Sequence, residues 1–228
     1  MKQGITYILA LSILLSSNLV SFGADTDADK SALSTEVITS RFESLNLGNV
    51  SFDAFQLAII GHHYYKSQGL VTNDTVVIID FDLPSTQQRM FVVDLSKNIV
   101  LHSSLVAHGK NTGQDLAKNF SNINGSLQSS LGFFKTNEKY IGKHGLSLRL
   151  DGLEKGINDH ARSRAIVIHS ADYVSREFIR VNHRLGRSFG CPALPVDGYQ
   201  EAMDLLDDGV LLFIHSSNGN YKPTFVNK

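Results

Sequence analysis

Only one cysteine and no tryptophan occur in the 228 residues, and no run of like charge interrupts the chain. A single cysteine excludes an internal disulfide. The 21 basic and 22 acidic side chains give a net charge of −1, which excludes the basic excess of a nucleic-acid binder and the acidic block of a disordered tail. Past the first two dozen residues, no segment is long and apolar enough for a membrane span. Phosphate-binding and dinucleotide fingerprints are missing too. Gly109 and Gly113 have neither the spacing nor the strand-to-helix setting. His62 and His63 stand side by side without a carboxylate or cysteine at ligand spacing, so they read as packing residues and no metal is expected.

The first residues read as an export signal. Lys2 gives a thin positive start, an apolar stretch follows from Ile5 to Leu15, and Ser21-Phe22-Gly23 places small residues where a signal peptidase inspects them. Residues 1–23 are then a signal peptide, 24–49 a leader, 50–217 the catalytic domain with an N-terminal helix, and 218–228 a tail. No cysteine lies near the cleavage site for a lipid anchor. The expected location is the periplasm or cell envelope of a bacterium, with no transmembrane segment after cleavage. In such a space an unpaired thiol is either buried or used, and composition alone leaves both readings of Cys191 open.

With 42% hydrophobic residues the chain can build a real core. Residues 51–66 carry apolar side chains at helical spacing, with Ser51 as N-cap and Gly69 as stop. β-type runs follow at 76–81, 90–95, 99–102, 104–107, 147–150, 165–169 and 210–214, with a turn at 96–98 that makes a hairpin. Residues 197–206 read as a short helix. Residues 109–130 have little periodicity and read as a long loop, a length that in compact domains usually serves function or motion. Strands outnumber helices and lie close in sequence. The expected class is a β-rich α+β fold, a mixed β-sandwich or barrel with short peripheral helices.

Chemistry concentrates near the end. The run 165–169 closes on His169, and 22 positions later Cys191 sits in a loop reading Gly186-Arg187-Ser188-Phe189-Gly190-Cys191-Pro192-Ala193-Leu194-Pro195. An imidazole can take the thiol proton, backbone N–H groups can hold an oxyanion, and a glycine beside the cysteine lets the backbone come close to a substrate. Taken singly, His169 also fits a core histidine and Arg187 a surface charge.

The histidine-ended strand followed by Ser-x-Gly-Cys resembles the signature of the L,D-transpeptidases of YkuD-like type. The Gly-Arg-Ser-Phe-Gly-Cys-Pro-Ala-Leu-Pro variant is similar to the murein L,D-transpeptidase catalytic domain branch. Phe91-Val92-Val93-Asp94-Leu95, Val106-Ala107-His108-Gly109 and Gly142-Lys143-His144-Gly145-Leu146-Ser147-Leu148 share the likeness, which runs from about residue 50 to 215. It implies an L,D-transpeptidase fold, Cys191 as nucleophile and His169 as base. It also implies Ser188 and Gly190 in the oxyanion loop, with the N–H groups of Gly190 and Cys191 as donors. Tyr173, His144 and Ser130 are implied to line the cleft. No cofactor is implied, and the partners are peptidoglycan stem peptides. The sequence departs from the common signature at Phe189, where histidine is usual, and at Ala193, where arginine is usual; Arg187 is the candidate to supply the missing charge.

Three functions stay open. Acyl transfer to a second stem's amine is the first. Hydrolysis by the same cysteine, as an L,D-carboxypeptidase or endopeptidase, is the second. The third is a wall-binding protein whose cysteine is structural. A metal-free cysteine protease on another fold shares Cys191 and His169.

Overall fold

The computed structural model describes residues 33–225. The expected signal peptide lies outside them. Ser34 accepts from the Val37 N–H and opens α1 (Thr35–Ser44); Ser51 accepts from the Ala54 N–H and opens α2 (Phe52–Ser67). Eight strands follow: β1 (Thr75–Asp80), β2 (Met90–Asp94), β3 (Ile99–Ser104), β4 (Gly132–Gly142), β5 (Gly145–Gly152), β6 (Val167–Ser170), β7 (Ala193–Leu194) and β8 (Leu211–His215). Two short helices, α3 (Arg176–Asn182) and α4 (Tyr199–Asp204), flank β7.

All strands join one mixed sheet in the order β3-β2-β1-β8-β4-β5-β6-β7. β1 and β8 are parallel, as are β6 and β7; the other pairs are antiparallel. The segment leaving β3 then bridges to β7 through Ala107 and Ala193, so the sheet nearly closes on itself. The expected β-rich α+β class holds, with a nearly closed barrel as its form.

The central strands are buried on both faces, which is why their sequences are continuous apolar runs instead of alternating ones. Val77, Ile79, Val92, Phe134, Leu148, Ile168, Leu212 and Ile214 face one core. Val76, Ile78, Phe91, Val93, Phe133, Leu211 and Phe213 face another. α1 and α2 cover the second core with Ile38, Phe55, Ala58 and Ile59. The approach is close: a Cβ on Gly61 of α2 would lie 2.2 Å from the Phe133 ring. The expected leader thus contains a packed helix, since Ile38 is fully buried and Arg41 donates to the Leu95 carbonyl at 3.0 Å. The expected tail is likewise drawn inward. Tyr221 donates to Glu154 at 2.8 Å, and Phe225 stacks on Tyr64 at 4.8 Å.

Candidate active site

β6 is a buried β-branched run, and His169 is its third residue. β7 lies parallel to it, with His169 opposite Ala193 and Ser170 opposite Leu194. Cys191 therefore enters two residues before the position opposite the imidazole. Of the two residues singled out in the sequence, His169 lies on β6 and Cys191 at the entry to the neighbouring β7.

His169 is 4% exposed, and its Nδ1 lies 2.9 Å from the Ser170 carbonyl oxygen. A carbonyl only accepts, so Nδ1 carries the proton and the neutral ring presents Nε2 as an acceptor. Burial lowers the His169 pKa, aided by the charges of His144 and Lys143 against the Ser170 hydrogen bond. The imidazole is a neutral base at pH 7. His144, at the tip of the β4–β5 hairpin, stacks on this ring with centroids 4.6 Å apart.

Cys191 is half-buried against the first core. Its thiol points to the Ala165 carbonyl at 3.6 Å, not to the imidazole. Burial raises the thiol pKa; hydrogen bonding near Val167 and the charges of Arg164 and Lys143 pull against that rise. The resting pair is a neutral thiol and a neutral imidazole, not a preformed ion pair. Ala165 holds the left-handed backbone region at φ 54°, which turns its carbonyl to the thiol just ahead of β6.

The loop around the cysteine is tightly built. Ser188 donates to the Cys191 carbonyl at 2.6 Å and accepts from the Gly190 N–H at 3.0 Å. The Gly190 N–H, expected as an oxyanion donor, is thus engaged inside its own turn. The Cys191 N–H is the remaining backbone candidate. Gly190 has φ 131°, and a Cβ there would lie 2.9 Å from the Gln128 carbonyl oxygen, so only glycine fits.

The stretch 109–130 is an ordered platform. Ser129 accepts from the Gly109 N–H and donates to the Gly190 carbonyl, both at 3.0 Å. Lys110 N donates to the Ser188 carbonyl at 2.8 Å, and Ser188 N donates to the His108 carbonyl at 3.0 Å. Arg187 lies on the same stretch, donating to the carbonyls of Lys110 and Gly113 at 3.0 Å. Its guanidinium fastens loop to loop. Ser130 is buried and donates to the Ser121 carbonyl at 2.8 Å, so its hydroxyl is occupied. Tyr173 packs on Gly186. Its phenol is pushed up to about 12 by burial first and then by the charge of Cys191, which places it in the thiol's field.

Residues the sequence did not single out complete the frame. Arg89 is wholly buried and donates to the Val106 carbonyl (3.0 and 2.8 Å), the Leu83 carbonyl (2.9 Å) and His108 Nδ1 (2.9 Å). Burial and Arg89 push His108 down to about 3, which keeps that acceptor neutral. The pair fixes residues 106–108, which in turn pair with Ser188 and Ala193. Nothing in the spacing marked Arg89, because its partners are mostly backbone carbonyls. A groove of about 510 Å³ runs along the seam, lined by Ser103, Leu105, Asp172, Pro195 and Val196 among others, but not by Cys191 or His169. His62 is a buried packing residue with Nε2 2.9 Å from the Asn73 carbonyl. Asp80, Asp82 and His215 bring metal-ligand-type atoms within 4.8 Å, although the two carboxylates already accept N–H groups of Ser51, Asp82 and Ser217.

No curated protein matches the sequence significantly. Among solved structures, an L,D-transpeptidase from Mycobacterium smegmatis is 14% identical with a TM-score of 0.39, over 63% of this chain and 59% of that one. L,D-transpeptidase 1 from Mycobacterium tuberculosis is 13% identical with a TM-score of 0.36, over 63% and 62%. An L,D-transpeptidase from Xylanimonas cellulosilytica is 12% identical with a TM-score of 0.37, over 80% and 94%. The chain thus spans about 60% of the length of the two mycobacterial proteins. Residues 46–215, well over half of the chain, match the L,D-transpeptidase catalytic domain family, and the chain belongs to that family.

Proposed function

We propose that the protein is an exported cysteine acyltransferase acting on peptidoglycan stem peptides, a murein L,D-transpeptidase. The observation that carries this reading is the setting of His169. Its Nδ1–H is held by the Ser170 carbonyl, which leaves Nε2 as a base on the strand paired with the one Cys191 leads into. Membership of the family supplies the substrate class.

His169 Nε2 takes the thiol proton as Cys191 Sγ attacks the carbonyl of the third, diamino-acid residue of a tetrapeptide stem. Oxyanion charge collects near the Cys191 N–H. The C–N bond to the terminal D-alanine breaks, and the proton held by His169 passes to the departing amine. A second stem's amine then attacks the thioester, His169 Nε2 takes its proton, and that proton returns to the Cys191 sulfur as the C–S bond breaks. The thiol turns from the Ala165 carbonyl toward the imidazole for the first step, a side-chain rotation about χ1 that the half-open site permits.

Export rests on the amino-terminal signal read in the sequence. Among the described residues no helix is long and apolar enough to cross a membrane. The test is mass analysis of products after incubation with a defined tetrapeptide stem. A crosslinked dimer supports transfer, tripeptide alone supports hydrolysis by the same cysteine, and unchanged stem refutes both. Cys191→Ala should abolish turnover while leaving the fold intact; normal turnover in that variant rules out the cysteine mechanism.

A further inference from the structure

Arg164 stands directly before Ala165, whose carbonyl receives the thiol. Its two terminal nitrogens make four contacts: to the Ser121 carbonyl (2.7 Å), Ser130 Oγ, Ser126 Oγ (3.3 Å) and the Gln128 carbonyl (2.7 Å). Every one of these acceptors is neutral. Among the described residues no carboxylate pairs with it, although Arg162, two positions earlier, pairs with Asp151 and Glu138. Arg164 Nη2 reaches within 3.5 Å of the point a Cβ on Gly190 would occupy. A half-buried, uncompensated cation is costly unless an anion forms beside it. The group nearby that can become one is the Cys191 thiol.

The geometry points to Arg164 as the fixed positive charge of this site, a positioning residue that holds loop 121–130 and stabilises the Cys191 thiolate as His169 removes its proton. This assignment rests on the cysteine reading above and deepens it. It also relocates the charge that Ala193 lacks: Arg187 is spent on the carbonyls of Lys110 and Gly113, whereas Arg164 Nη2 lies against the Gly190–Cys191 turn, in the field of the thiol. The other ionisable groups around the thiol are His169 on β6, Lys143 and His144 on the hairpin tip, and Tyr173 after β6. Of these Lys143 is exposed and acts as a secondary charge, and Tyr173 and His169 are neutral near pH 7.

The chain's one cysteine makes the test direct. The rate of Cys191 alkylation by iodoacetamide is followed against pH in the intact protein. In Arg164→Gln the midpoint should rise by about one pH unit, with alkylation roughly tenfold slower below it. Arg164→Lys, which keeps the charge and loses the fork, should return most of the shift. An unmoved midpoint in folded Arg164→Gln overturns the assignment, as does a Lys variant shifted as far as the Gln variant, since that assigns the effect to loop packing. Should Arg164→Gln fail to fold, Ser126→Asp places a carboxylate against the guanidinium in an otherwise intact loop. Its midpoint should also rise, and an unchanged one overturns the assignment. Alkylation needs no stem peptide, so a clear Arg164 shift in a protein that never converts a stem sinks the acyl-transfer reading and leaves this one standing.

Discussion

His169 and Cys191 both start uncharged, and their surroundings set the pH range over which that holds. Burial moves the imidazole below its ordinary 6.5 and the thiol above its ordinary 9.0. On the proposed mechanism the active form is the neutral pair, so protonated His169 defines the acid limb and ionised Cys191 the alkaline limb. We expect kcat/KM on a stem peptide to fall with an acid midpoint below pH 6.5 and an alkaline midpoint above pH 9. A midpoint near pH 7.5 in either direction contradicts this account of the pair. Gly190→Ala tests the loop. With φ at 131° and the Gln128 carbonyl 2.9 Å from the new methyl, the turn must rearrange. Turnover should drop by about 10²-fold or more, and the melting temperature should fall by roughly several degrees from the backbone strain alone. Unaltered kcat sinks the claim that this turn sets the thiol's position. The proposed catalytic pair was legible because each member comes with a local signal: a β-branched run ending in histidine, and a glycine beside the cysteine. Arg89, Ser129 and Arg164 were not, because each acts on groups distant in sequence: Arg164 reaches Ser121, 43 positions away, and Ser129 reaches Gly190, 61 away. No linear pattern encodes such pairs.

Among the elements, β4 shows why strand patterns fail. Its middle reads Lys135-Thr136-Asn137-Glu138-Lys139, with low β-propensity, yet β5 and β8 pair with it from both sides. A shift in register between Thr136 and Lys139 breaks the alternation further. β7 is too short to leave a pattern at all. α2 was readable from its regular apolar period, and β1, β2 and β8 from their continuous apolar runs. Glu154, just beyond β5, anchors several elements at once. It is fully buried and accepts from the Phe133 N–H (2.8 Å), Tyr221 (2.8 Å) and the Thr224 N–H (3.0 Å). Burial raises its pKa against those donors. Glu154→Ala leaves these donors and the Thr224 hydroxyl without their acceptor and should cost about 3 kcal/mol in urea unfolding. A loss below about 1 kcal/mol indicates that water replaces the carboxylate and that the C-terminal segment is not held by it.

At the scale of the molecule, the sheet separates two cores with different duties. One carries Cys191 at its margin, and the other is capped by α1 and α2. The near-closure and the capping of one face were beyond the sequence, which specified apolar runs but not which face each residue would take. A cavity in the capped core should therefore weaken the fold and spare the chemistry. Ile38→Ala removes a fully buried side chain and should cost about 2–4 kcal/mol, lowering the melting temperature by roughly 5–15 °C. The iodoacetamide rate of Cys191 at 25 °C should be unchanged; a parallel loss of reactivity contradicts the independence of the two faces.

The two-residue strand β7 is held on one side by β6 and on the other by Ala107, whose N–H and carbonyl exchange hydrogen bonds with Ala193 at 2.8 and 3.3 Å. The Cys191 thiol thus lies two residues from the stitch that zips the barrel shut. An adduct on Cys191 should therefore pull on or brace that stitch, which would give the protein its own occupancy gauge: acylation at one sulfur, if the proposed chemistry holds, should be legible as a change in how hard the whole barrel is to melt.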